Sequence, residues 1–128
     1  MNTNRRIEQY CKQYLTVPTP EIVEFVQCLL EMLDECSWIS ADLEEPAAIV
    51  FITDKPDKVR YETSQSRTLL RLICARLVGI ATEAGCADLN PYEGGYNIMS
   101  VDHKGNRIHI RVDYVNTSSQ QRFRLGIM

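Results

Sequence analysis

Apolar residues recur along this chain at two spacings, and the switches between them predict its elements. Ile7, Tyr10, Cys11, Tyr14 and Leu15 follow one another at helical intervals, which places them on one face of a short helix. The segment VPTP at 17–20 breaks that pattern. Thr19 then predicts the cap of a second helix, with Pro20 at its first position, where a missing N–H costs nothing. Ile22, Val26, Leu29, Leu30 and Leu33 make the apolar stripe of this helix, widened by Phe25 and Met32. Glu24, Gln27, Glu31 and Asp34 take its wet side. The strongest helical pattern covers 64–85, where Leu69, Leu70, Leu72, Ile73, Leu77, Val78 and Ile80 nearly encircle the axis. Ser64 or Ser66 is the expected cap and Gly85 the expected stop. A helix apolar on so many sides belongs at the centre of a fold.

Between the second and third helices, SWISADLEEP at 37–46 reads as a polar, acidic connection. AAIVFIT at 47–53 is a continuous β-branched run and predicts a strand covered on both faces. DKPDK is turn chemistry, after which VRYET can return as a shorter strand. Three more strands close the chain: YNIMSV, then RIHIRVDYV after the turn DHKGN, then RFRLGIM after NTSSQQ. Lys104-Gly105-Asn106 supplies the positive-φ tolerance a tight hairpin requires. The expected architecture is one α+β domain over 1–128: two N-terminal helices, a strand or hairpin, a central buried helix and a three-stranded antiparallel meander. This order resembles that of roadblock and longin-type dimerisation domains over about residues 19 to 127, without their closing helix. The resemblance rests on element order and on no residue motif, and it implies a dimer.

Composition alters this picture little, but charge does. The net charge is −3, with 45% apolar and 24% charged residues, a globular balance with no bias toward disorder. Residues 1–64 carry six Lys or Arg against twelve Asp or Glu, whereas residues 65–128 carry eight against five. The total predicts no general affinity for nucleic acid, yet a local basic surface in the second half is compatible with it. Cys11, Cys28, Cys36, Cys74 and Cys86 are odd in number and include no Cys-x-x-Cys pair. With no secretory leader pattern at the start, they read as reduced, mostly buried thiols of a cytoplasmic protein. No membrane association is expected.

The basic surface can be placed by alternation. Ile108, Ile110, Val112 and Tyr114 share one side of their strand, and Arg107, His109, Arg111 and Asp113 share the other. In the last strand Phe123, Leu125 and Ile127 point inward, and Arg122 and Arg124 point outward. If the two strands pair, Arg107, His109, Arg111, Arg122 and Arg124 gather on one face, offset by Asp113. Glu21, Glu24 or Glu31 from the helices are candidate neutralising partners. The aromatic residues Tyr114 and Phe123 fall on the core side, away from the cations, which argues against stacking on single-stranded nucleic acid.

Other candidate chemistry has plainer explanations. Asp102-x-Lys104 with Glu93 upstream has the residue types of a metal-dependent nuclease, but DHKGN is explained as a turn. Cys74 or Cys86 with His109 is a conceivable nucleophile and base, although Cys74 sits in the most apolar helix. Lys55, Lys58, Arg60, Ser64, Ser66 and Arg67 precede a helix N-terminus and form a candidate anion site, without a glycine-rich loop. Tyr92 and Tyr96 flank the two glycines of NPYEGGY. His103 and His109 have no cysteine spacing near them that suggests zinc, and neither metal nor cofactor is expected.

The reading these features favour is a small, non-catalytic binding or adaptor protein, homodimeric, acting through protein–protein contacts. Its partner surface would be the second helix, through Phe25, Cys28 and Met32, or an edge strand. Two alternatives stand beside it: a nucleic-acid- or anion-binding protein using the basic sheet face, and a small enzyme or nucleotide-sensing module.

Overall fold

The computed structural model describes residues 2–55, 58–86 and 88–128. Helix α1 (Thr3–Tyr10) continues into a π-helical turn at Cys11–Leu15, and α2 spans Ile22–Glu31. Strands β1 (Trp38–Glu44), β2 (Ala48–Thr53) and β3 (Lys58–Glu62) precede α3 (Ser66–Glu83). Strands β4 (Glu93–Val101), β5 (Arg107–Asn116) and β6 (Gln121–Ile127) follow it. The protein is therefore α+β; among the described residues there are three α-helices and one six-stranded antiparallel sheet in the order β3-β2-β1-β6-β5-β4. Two meanders are joined where β1 pairs with β6.

All the helices lie on one face of the sheet. Ile7, Cys11 and Leu15 from the first helical segment, Phe25, Leu29 and Leu33 from α2 and its exit, and Leu70, Ile73 and Leu77 from α3 form one continuous core. They pack against Ile39, Ile49, Phe51, Ile110, Val112, Phe123 and Leu125, which alternate along their strands and so share the inner face. Phe25 and Phe51 meet with ring centroids 6.0 Å apart. Buried Tyr96 donates its hydroxyl to the Leu77 carbonyl at 2.6 Å, which ties β4 to α3.

Several expectations need correction. SWISADLEEP is no connection: most of it is β1, the strand between β2 and β6. The second helix starts later than Thr19-Pro20 suggested, at Ile22, and Glu21 precedes it without a side-chain cap. Neither Ser64 nor Ser66 caps α3. The Thr63 hydroxyl instead accepts from the Gln65 N–H just before the helix. Gly85 does end α3: at φ +84 it donates to the Thr82 carbonyl, and Cys86 donates to that of Ala81, the paired bonds of a Schellman stop. Strand β2 is covered by helices on one face alone. On the other, Ala48 and Val50 are nonetheless buried, and Ile52 is 42% exposed. Arg60 reaches across β2 to bond Glu44 while also pairing with Glu62 on its own strand. Register places Ala48 between those two glutamates, which explains how a small residue there is hidden. Pro56 and Asp57 of the expected β2–β3 turn lie outside the described residues.

Phe25 and Met32 are fully buried in the core, so α2 cannot offer them to a partner. Asp34, expected on the wet side, has a side chain only 8% exposed. The five cysteines are free, with Cys11, Cys36 and Cys74 buried and Cys28 and Cys86 half-buried. Burial pushes the Cys11, Cys36 and Cys74 thiols up to about 12. At pH 8 these three stay protonated and shielded, and the thiolate is the reactive form. Brief treatment of the native protein with iodoacetamide should therefore modify Cys28 and Cys86 alone, and denaturation should release the other three. Peptide mass spectrometry checks this; early labelling of Cys74 would contradict the packing of α3.

Candidate binding face

The sheet face turned away from the helices is built by six rows of alternating side chains. β5 contributes Arg107, His109, Arg111 and Asp113, and β6 contributes Arg122 and Arg124, as their pairing requires: Asp113 stands opposite Arg124, and Arg111 opposite Gly126. The structure thus brings the five residues predicted from alternation onto one surface. What it adds is the flanking strands. β1 places Asp42 opposite Arg122 and Ser40 opposite Arg124. β4 places Asn97 opposite Arg111, and Glu93 opposite Val115.

Two of the arginines are held in place. Arg111 contacts Asp113 at 3.1 Å and donates to the Asn97 side chain at 3.3 Å. A side chain at position 95 would collide with this arrangement, so Gly95 provides the room for it. The Arg124 guanidinium stacks over the Trp38 ring, 4.4 Å from its centroid, a favourable approach of a cation to an aromatic face. Among the described residues, Arg107 and Arg122 make no ion pair. An open groove of about 680 Å³ crosses β1, β6, β5 and the start of β4, with Asp42, Glu93 and Asp113 lining it beside Arg122 and Arg124. The face is therefore one of mixed sign. Its carboxylates come from strands, because α2, which carries Glu24 and Glu31 and follows Glu21, lies on the opposite side of the sheet.

Trp38, Ser40 and Asp42 are the members of this face that sequence reasoning missed. Their signal was present: Trp38, Ser40, Asp42 and Glu44 alternate with Ile39, Ala41 and Leu43, the period-two pattern of a half-buried strand.

The remaining candidates do not converge. Lys55 and Lys58 lie at the β2–β3 end, whereas Ser64, Ser66 and Arg67 follow the far end of β3. The five residues of β3 separate the two groups by roughly 13 Å. Arg60 is committed to Glu44 and Glu62, Ser66 is buried, and Arg67 bonds Gln121 at 2.8 Å. Cys74 is on the inner side of the sheet and His109 on the outer. Glu93 and Asp102 sit at opposite ends of β4. The Asp102 carboxylate accepts from the Lys104 and Asn106 amides at 2.9 Å each, and Gly105 has the positive φ of the turn. Burial pushes that carboxyl up, but the amide donors outweigh it and hold it below its ordinary value. Asp102 is thus occupied in shaping the hairpin, and His103 and Lys104 turn toward Asp34 at the end of α2.

No protein-family model matches the chain, and no curated protein is significantly similar to it. No helix among the described residues is long and apolar enough to cross a membrane.

Proposed function

We propose that this is a small cytoplasmic, non-catalytic binding protein that works as a homodimer and engages a protein partner on its open sheet face, the dimer forming by antiparallel pairing of β4 with β4 of a second copy. The observation that carries this reading is the contrast between the two edges of the sheet. β3 is five residues long, and Lys58, Arg60 and Glu62 guard it, as edge strands usually are guarded. β4 runs for nine residues, EGGYNIMSV, with no Lys, Arg or Pro. Its outer side exposes Met99 and Val101, at 53% and 48%. A long unguarded edge with exposed apolar residues is a template for another strand.

A second copy suits it. An antiparallel pair centred on Asn97 sets Glu93 against Val101 of the other copy and Gly95 against its Met99, so the two Glu93 carboxylates stay at opposite ends. Such a two-fold pairing is self-complementary and closed. It also extends the mixed-charge face continuously through both copies, which favours a partner bearing both signs. Nucleic acid fits this surface less well, because Asp42, Glu93 and Asp113 stand among the arginines that would meet phosphate. The likeness in element order to roadblock and longin-type dimerisation domains points toward self-association too, although β1 adds a strand to the order read from sequence.

The test is sedimentation velocity on the wild type and on Met99→Lys/Val101→Lys, which puts charge on an exposed edge without touching the core. The wild type should sediment as twice 14.7 kDa and the double variant as a monomer with an unchanged circular dichroism spectrum. A wild type that stays monomeric at high micromolar concentration, or a double variant that dimerises equally well, would refute the reading.

A further inference from the structure

The chain gathers three carboxylates at a place where electrostatics favours cations. α2 ends at Glu31, and Asp34 and Glu35 follow within the turn that leaves it. The C-terminal end of a helix is its negative end, where Lys, Arg or His is the stabilising choice, and the last turn of α2 contains no basic residue. The tip of the β4–β5 hairpin packs against this point. The His103 N–H donates to the Glu31 carbonyl at 3.0 Å. The His103 Nδ1 is 2.9 Å from Asp34 Oδ1 and its Nε2 is 3.9 Å from Glu35 Oε1. One ligand atom from each of Asp34, Glu35 and His103 lies within 4.8 Å of the others.

The Asp34 carboxylate points to a missing partner. It is more than nine-tenths buried, yet neither oxygen receives a hydrogen bond. The His103 Nδ1 approaches Asp34 without hydrogen-bond direction, that nitrogen being aligned with the Glu31 carbonyl at 3.3 Å. Lys104 lies 3.7 Å from Asp34 Oδ2, but its side chain is 66% exposed and free to swing away. Arg6 holds Glu35 Oε1 at 2.9 Å and leaves the buried Oε2 without a bond. A buried carboxylate left without donors loses its hydration without return unless a positive group compensates it.

We propose that Asp34, the Glu35 carboxylate and the His103 imidazole form a binding site for a first-row transition-metal dication such as Zn²⁺ or Co²⁺, which pins the β4–β5 hairpin to the end of α2. One imidazole nitrogen with two carboxylate oxygens is a borderline-hard donor set that suits such ions, with water completing the shell. The ligands come from segments far apart in the chain, so the ion closes a long loop. It also stabilises the native state by mass action, because the unfolded chain does not preassemble the site.

Cobalt is the probe. The chelator-treated wild type should bind one equivalent with visible d–d absorption and no near-ultraviolet thiolate band, and its Tm should rise with cobalt concentration. His103→Ala and Asp34→Asn should lose affinity by at least about tenfold, the scale even of supporting residues around a metal, while His109→Ala binds as the wild type does. Should either ligand variant fail to fold, the wild type still decides. The chain has two histidines, and bound cobalt should shift or broaden the imidazole NMR signals of His103 and spare those of His109. Absence of cobalt uptake by the folded wild type, a thiolate band, perturbation of His109 instead of His103, or tight binding by His103→Ala overturns the site.

Discussion

Replacing Phe51 by alanine should cost about 3–5 kcal/mol, the range for emptying a large aromatic site in a core, and should lower Tm by roughly 10–20 °C for a domain of this size. Phe51 is fully buried on the inner face of β2, against Phe25 of α2. Its neighbours across the sheet are Ala41 and Val59. The small residue at 41 leaves space that the phenyl ring fills, and neither cross-strand neighbour is large enough to take its place. The next residue provides the control. Ile52 points to the opposite face and is 42% exposed, so Ile52→Ala should cost about 1–1.5 kcal/mol at most, about two-fifths of its surface being already in water. Urea denaturation of the two variants measures both numbers. Equal losses would mean that the outer face of β2 is covered, and the open binding face would fall with that result.

The contrast between adjacent residues also shows what could be read in the sequence. Where one apolar period ran uninterrupted, it predicted structure well: Ile7, Cys11 and Leu15 are buried on one helical face, and Ile110, Val112 and Tyr114 on one strand face. Alternation likewise assigned Arg107, His109, Arg111, Arg122 and Arg124 to the outer side of two strands that do pair. Failure came where polar residues hid a period. In β1 the outward positions are Ser40, Asp42 and Glu44, so the segment resembles a loop in composition while keeping the alternation of a strand. Missing it removed Asp42 from the neighbourhood of Arg122 and made the face look more cationic than it is. The continuous apolar run of β2 misled in the opposite direction. Ala48 lies between Glu44 and Glu62, which Arg60 joins across the strand, and long charged side chains cover apolar surface with their stems. Asp34, Glu35 and His103 had no local signal at all, because only the packing of the hairpin against α2 unites them.

The second large effect follows from the same overlooked strand. Ser40→Pro should leave no folded protein to study, with far-ultraviolet circular dichroism lacking the native strand and helix signal. Ser40 pairs with Ile52 of β2 on one side and Arg124 of β6 on the other. Whichever side its N–H faces, proline removes a ladder bond, and its fixed ring has no place in a central strand. A loss of about 3 kcal/mol or more falls on a total that is about 5–15 kcal/mol for a typical domain. The position aggravates it. β1–β6 is the seam where the two meanders become one sheet, and it joins chain segments from opposite ends of the molecule. Contacts of that kind repay their loop-closure entropy only when the whole ladder forms. Lys58→Pro, at the first residue of the β3 edge strand, is the matched control. Proline is tolerated at such positions, and this variant should retain the native spectrum and lose about 1 kcal/mol at most. A folded Ser40→Pro protein would show that β1 does not bridge the two halves of the sheet.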